Sequence, residues 1–188
     1  AQPRQSREGF VVDGYRLRDA ERTVQLDEPL DLAEAMEVSS NVWFAHAALD
    51  TGATAYRAAA ERLGFGRAIG FELPTVASQV TTGDGTMEGF TDRPELAAAG
   101  FGQGRVLVTP LQMALITAAI ANGGEMVAPR LVDRLVSANG NVRTLGSRGL
   151  GRVMSTTTAR DLKEAMVRAV EGRYAEALAG GAKVPGVV

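Results

Sequence analysis

Between Thr109-Pro110 and Asn122-Gly123-Gly124 the sequence brackets a helix at both ends, and no other local feature limits the chain's folds so sharply. A threonine at the N-cap satisfies an orphan N–H of the first turn. A proline just inside it lacks the N–H that would go unbonded there anyway. Asn-Gly-Gly then supplies the positive φ that ends a helix. The spacing predicts a helix over Pro110–Ala121 with Leu111, Ala114, Leu115, Ala118 and Ala119 facing inward.

The same grammar recurs along the chain. Pro29-Leu30-Asp31 introduces a second helix, with Asp31 at the N-cap, Glu34 three residues on as a capping box, and Leu32, Ala35 and Met36 as the buried stripe. Ser39-Ser40-Asn41 breaks it, because these side chains compete for backbone hydrogen bonds. Further helices are predicted over Val42–Leu49, ending at Thr51-Gly52, and over Thr54–Leu63, closed by Gly64 and Gly66. The apolar side of the latter is predicted to run through Ala55, Ala58, Ala59, Arg62 and Leu63. An amphipathic helix over Thr158–Val170 is entered through Ser155-Thr156-Thr157. Residues 66–92 show no sustained period and read as a long loop. Extended segments are predicted at Phe10-Val11-Val12, which runs into Asp13-Gly14, and at Tyr15-Arg16-Leu17 and Thr23-Val24-Gln25-Leu26. Leu131–Val136 and Val142–Leu145 flank Asn139-Gly140 as a hairpin.

Composition removes whole classes. The 188 residues make about one domain with a core of its own. A formal charge of −2 with scattered basic residues gives no footprint for nucleic acid. No run reaches the roughly 20 apolar residues that span a bilayer. Ala1-Gln2-Pro3-Arg4-Gln5 is not a signal peptide, so membrane attachment is expected only through parts outside this chain. With no cysteine and no clustered histidine, neither a disulfide nor a metal site is expected.

Taken locally, Ser39-Ser40-Asn41 is an N-cap cluster. Its context adds a second meaning. Val38 precedes it, Trp43-Phe44 follows, and about sixty residues on come Gly102-Gln103-Gly104 and Thr109-Pro110-Leu111-Gln112-Met113-Ala114. Together these resemble the middle of the transpeptidase domain of class B penicillin-binding proteins, which work with the motifs S-x-x-K, S-x-N and K-T-G. The resemblance runs from Phe10 to Val188 and is weakest before Pro29. Only the S-x-N motif is here. The two lysines, Lys163 and Lys183, are preceded at the required spacing by Arg160 and Gly180, and Lys183 opens no K-T-G. Lys183-Val184-Pro185-Gly186 is expected to approach the K-T-G strand, and Ser39 is too near residue 1 for the nucleophile to fit upstream. Residues 1–188 are therefore expected to be a partial transpeptidase domain, inactive alone, that lacks the nucleophile and K-T-G segments.

The resemblance implies an α+β fold of the penicillin-binding protein and serine β-lactamase type, of which this chain supplies mainly the helical lobe and a few peripheral strands. It implies a peptidoglycan D,D-transpeptidase that cross-links D-Ala-D-Ala stem peptides through a serine acyl-enzyme, is acylated by β-lactams, and works without cofactor or metal at the extracytoplasmic face of the bacterial membrane. It implies catalytic roles for Ser39, as a proton relay, and for Asn41, which orients the lysine base and binds the substrate amide. Ser40 is assigned no catalytic role. The alternative is a related non-catalytic module that binds peptide or β-lactam. Without the missing segments, Trp43, Phe44 and Leu115 are expected at the surface, where they would favour self-association or binding of the remaining segments of the enzyme.

Other residues carry duller readings. Gly102-Gln103-Gly104 does not extend to a phosphate-binding G-x-G-x-x-G; its glycines read as turn formers and Gln103 as a pin for the turn. His46 reads as a packing or surface residue, Asp27-Glu28 as a solvated turn, and Met113, Met126, Met154 and Met166 as core filling.

Overall fold

The computed structural model describes residues 9–21, 26–27, 29–85 and 88–174. Its helices are α1 (Leu32–Glu37), α2 (Asn41–Thr51), α3 (Ala53–Arg62), α4 (Arg93–Ala99), α5 (Pro110–Ala121) and α6 (Thr156–Glu171). Its strands are β1 (Phe10–Val12), β2 (Tyr15–Leu17), β3 (Glu125–Val127), β4 (Arg134–Val136), β5 (Val142–Thr144) and β6 (Gly149–Arg152). The strands pair antiparallel as β1–β2, β3–β6 and β4–β5. This is the α+β arrangement expected, a helical lobe with peripheral strands.

Local chemistry explains most element boundaries. Asp13 and Gly14 both take positive φ, +46° and +84°, which matches the twist of the β1–β2 hairpin. At α1 the capping box is complete: Asp31 Oδ1 accepts from Glu34 N at 2.8 Å, and Asp31 N donates to Glu34 Oε2 at 2.9 Å. Thr109 caps α5 by accepting from Gln112 N at 3.1 Å. Ser155 caps α6 by accepting from Thr158 N at 3.0 Å. Asn139-Gly140 turns β4 into β5 as predicted. The segment 66–92 contains no regular helix or strand among its described residues, but it is anchored. Ser78, fully buried, accepts from Thr109 N at 3.1 Å, and Gln79 and Leu107 exchange backbone bonds of 2.8 and 3.0 Å.

Several predicted faces are rotated. On α1, Ala35 is buried as predicted, but Leu32 is exposed, Met36 is only half-buried and Glu37 is buried. On α3 the inward line is Ala53, Tyr56 and Ala60, while Ala55 and Arg62 face solvent. On α5, Leu115 and Ala119 are buried as predicted, but Ala114 and Ala118 are exposed and Gln112 is buried. A small alanine satisfies either side of a helix, so its spacing is a weak guide. The expectation of a bared Trp43 and Leu115 is wrong: both are buried, and Phe44 is half-buried against the same cluster as Trp43. Trp43 finds its partners within the described residues, packing on Leu26, Leu30, Ala35, Val38 and Tyr174 and donating from Nε1 to Leu30 O at 3.0 Å.

Helix α4 was not foreseen. It is bracketed by Asp92, which accepts from Glu95 N at 2.8 Å, and by Gly100. Gly100 is needed for close approach: a Cβ there would stand 2.5 Å from Phe44 O and 2.6 Å from the Ala48 Cβ, both on α2. The Tyr56 hydroxyl donates to Ala99 O at 2.7 Å, and burial pushes its phenol pKa up. Burial also works to raise Glu95. The bonds it accepts from Thr91 N (2.7 Å) and Thr81 Oγ1 (2.8 Å) outweigh this and hold its carboxyl below the usual value.

Candidate active site

The candidate site forms where α1 gives way to α2, and its geometry follows from two helix ends meeting within three residues. α1 ends in a Schellman motif: Ser39 N donates to Met36 O at 3.2 Å and Ser40 N donates to Ala35 O at 2.9 Å. That motif requires the left-handed region at the residue Ser39 occupies, and Ser39 takes φ +51°. Glycine is the usual occupant, because a Cβ in this region costs about 1–2 kcal/mol. Ser39 is exposed, and among the described residues its hydroxyl has no hydrogen-bond partner.

Ser40, 0% exposed, begins α2. Its Oγ accepts from Trp43 N at 3.1 Å and donates to Asp19 Oδ2 at 2.8 Å. Asp19 Oδ1 accepts from Val42 N at 2.9 Å, so one carboxylate serves both Ser40 and the first turn of α2, at the positive end of that helix. Asn41 is half-buried, and its Nδ2 donates to Arg18 O at 3.2 Å. The amide is thereby oriented, leaving Oδ1 and the second N–H for other partners. The N-cap reading and the motif reading of these residues describe one structure: Ser40 caps, and Ser39 and Asn41 flank the cap.

The turn is also held from behind. The Glu37 carboxylate, two residues before Ser39, is buried. It accepts from Arg168 Nη2 at 3.3 Å and from the backbone N–H of Tyr174, which fixes the end of α1 to the end of α6. A buried carboxylate left without these partners would be strongly destabilising.

The second cluster of motif residues forms a turn and the capped start of α5. Gly102 and Gly104 take φ +76° and +72°. The turn is pinned by the backbone N–H of Gln103, which donates to Ala98 O at 3.0 Å, while its side chain is exposed. Gln112, absent from the predicted core, donates from Nε2 to Leu63 O at 2.6 Å and so ties the start of α5 to the end of α3. His46 stacks on Phe10 with ring centroids 3.9 Å apart. Asp27 pairs with Arg173, and Glu28 lies outside the described residues. Of the methionines, Met126 fills core and Met113 is exposed. Lys163 is exposed on α6, and Lys183 lies outside the described residues, as do Thr23-Val24-Gln25. No group of three or more metal-ligating side chains is assembled among the described residues.

The fold of the chain as a whole is similar to that of solved transpeptidase structures. The structure of penicillin-binding protein A from Mycobacterium tuberculosis in its penicillin G acyl-enzyme complex superimposes with a TM-score of 0.80 at 29% identity, over 91% of this chain and 39% of that one. The D,D-transpeptidase domain of a peptidoglycan glycosyltransferase from Eggerthella lenta gives 0.70 at 31% identity, over 84% of this chain and 40% of the other. In sequence, the chain is 34% identical over 145 residues to the peptidoglycan D,D-transpeptidase PbpA of M. tuberculosis, covering 76% of this chain and 28% of that protein. It is 30% identical over 122 residues to penicillin-binding protein 3 of Bacillus subtilis, covering 64% of this chain and 17% of that protein. Residues 5–188 match the model of the penicillin binding protein transpeptidase domain, and the chain belongs to that family. It spans under a third of the length of these two curated relatives.

Proposed function

We propose that this chain supplies the relay-and-orientation part of a serine acyl-transfer site, within a peptidoglycan D,D-transpeptidase that cross-links D-Ala-D-Ala stem peptides and is acylated by β-lactams. Residues 1–188 are then the central part of a transpeptidase domain whose S-x-x-K and K-T-G segments belong to the rest of the enzyme. The observation that carries this reading is the state of Ser39: an exposed hydroxyl with no hydrogen-bond partner among the described residues, on a strained left-handed residue one position from a buried cap and two from an oriented asparagine.

A serine nucleophile needs a base, which in this family is the lysine one helical turn after it. As the nucleophile's oxygen bonds to the carbonyl carbon, its proton passes to the lysine. The C–N bond then breaks, and the departing nitrogen must receive a proton. A hydroxyl that both accepts and donates can carry it from the lysine to that nitrogen, and Ser39 takes this role. Asn41 holds the lysine through Oδ1 and the substrate carbonyl through its remaining N–H. Alone, this polypeptide forms no penicilloyl adduct, because neither lysine stands three residues after a serine. No described helix is long and apolar enough to cross a membrane.

In the full-length enzyme, Ser39→Ala is expected to slow acylation by a fluorescent penicillin by about 10²–10⁴-fold, the usual contribution of a positioned proton carrier. Asn41→Ala is expected to lose both rate and affinity. If Ser39→Ala acylates at the wild-type rate, the residue serves only the turn and the assignment is wrong.

A further inference from the structure

The geometry points to Asp19 as a positioning residue for the transfer step, acting on Ser39 through Ser40; this rests on the assignment of Ser39 made above. Asp19 lies just after β2, in a part of the chain that carries none of the family's motifs, yet its carboxylate is the hub of the turn. One oxygen takes the Ser40 hydroxyl at 2.8 Å and the other takes the Val42 N–H at 2.9 Å. The preceding residue, Arg18, holds Asn41 through its carbonyl at 3.2 Å. Ser39 is therefore a single strained residue between two fixed ends. On one side the Schellman bonds and Glu37 hold α1; on the other, Asp19 holds Ser40 and the first turn of α2.

Asp19 shares the capping of α2 with Ser40: Ser40 accepts from Trp43 N, and Asp19 takes the N–H of the buried Val42. What the carboxylate adds is a tie between α2 and the β1–β2 hairpin. That hairpin is itself fixed to α2 and α4 through Val12, Leu17, Ala45 and Ala97. Without the tie, the Ser40 hydroxyl is free to rotate and the left-handed Ser39 to relax, which moves its hydroxyl. Displacements of about 1 Å can cost about 10²-fold in rate when they misalign reacting groups.

The test is a double-mutant cycle in the full-length enzyme, read as the acylation rate constant and the dissociation constant of the initial penicillin complex. Asp19→Ala is expected to lower the acylation constant by about 10²-fold while the dissociation constant changes little. Asp19→Asn keeps an acceptor for Val42 N and a tie to Ser40 Oγ, with the bond reversed so that the amide donates, and its acylation constant is expected to lie between those of Asp19→Ala and the wild type. With Ser39→Ala already present, Asp19→Ala is expected to cost no more than about 3-fold further, because the group it positions is gone. If Asp19→Ala does not yield folded enzyme, Ser40→Ala takes its place in the same cycle with the same expectation. An equal loss in both backgrounds, or a full rate with lowered stability, would overturn the positioning role while leaving Ser39 as relay. A full rate for Ser39→Ala alone would overturn the relay, and the positioning role with it.

Discussion

The α1–α2 turn and the β4–β5 hairpin are both tight reversals, and they are held in opposite ways. In the hairpin the left-handed position is filled by glycine, Gly140 at φ +84°, and all six strand residues are exposed. In the α1–α2 turn the left-handed position is filled by Ser39, and the residues around it are buried or tied to three distant parts of the chain. Thirteen of the sixteen described positive-φ residues are glycine; Ser39 is one of three exceptions, with Asp13 and Glu88. At the apex of the exposed β4–β5 hairpin, glycine relieves the backbone. Where a side chain is needed at the apex, the strain is kept and the surroundings hold it in place.

That contrast sets the scale of mutational effects. Trp43→Ala removes the largest fully buried side chain, which packs directly behind the turn, and is expected to cost about 3–5 kcal/mol, read by urea unfolding followed by circular dichroism. A loss below about 1 kcal/mol would mean that this core is not what supports the turn. At the other end, Leu135→Thr on the hairpin removes an exposed side chain from a β-former position and is expected to change stability by no more than about 0.5 kcal/mol. It should leave acylation of the full-length enzyme unchanged. A large loss in either measurement would show that the hairpin is packed against something in the whole enzyme.

The same contrast separates what was legible in the sequence from what was not. Asp31 with Glu34, Thr109-Pro110, Asp13-Gly14 and Asn139-Gly140 all state their geometry locally, because a cap or turn is decided by a few neighbouring residues. The break at Ser39 was readable for the same reason. Asp19 was not, since its partners lie 21 and 23 residues away and a lone aspartate after a short strand carries no signal. Helix α4 has seven residues, too few for a hydrophobic period, although Asp92, Pro94 and Glu95 do mark its start. Gln112 and Glu37 are polar residues in the core, which pattern reasoning assigns to the surface until their partners are known. The β3–β6 pair was missed because Gly149–Arg152 lacks β-branched residues and is defined only by its partner strand.

The most direct test of Ser39 is its replacement by glycine, with stability and acylation measured on the same full-length protein. Ser39→Gly relieves about 1–2 kcal/mol of left-handed strain and returns about 0.4–1 kcal/mol to the unfolded chain as freedom. The expected result is a folded state more stable by roughly 0.5–1 kcal/mol that acylates at least about 10²-fold more slowly. Opposite movement of the two quantities is what a strained residue retained for its hydroxyl requires. A variant that is both less stable and normally acylated would show that the Ser39 side chain serves the turn and not the chemistry.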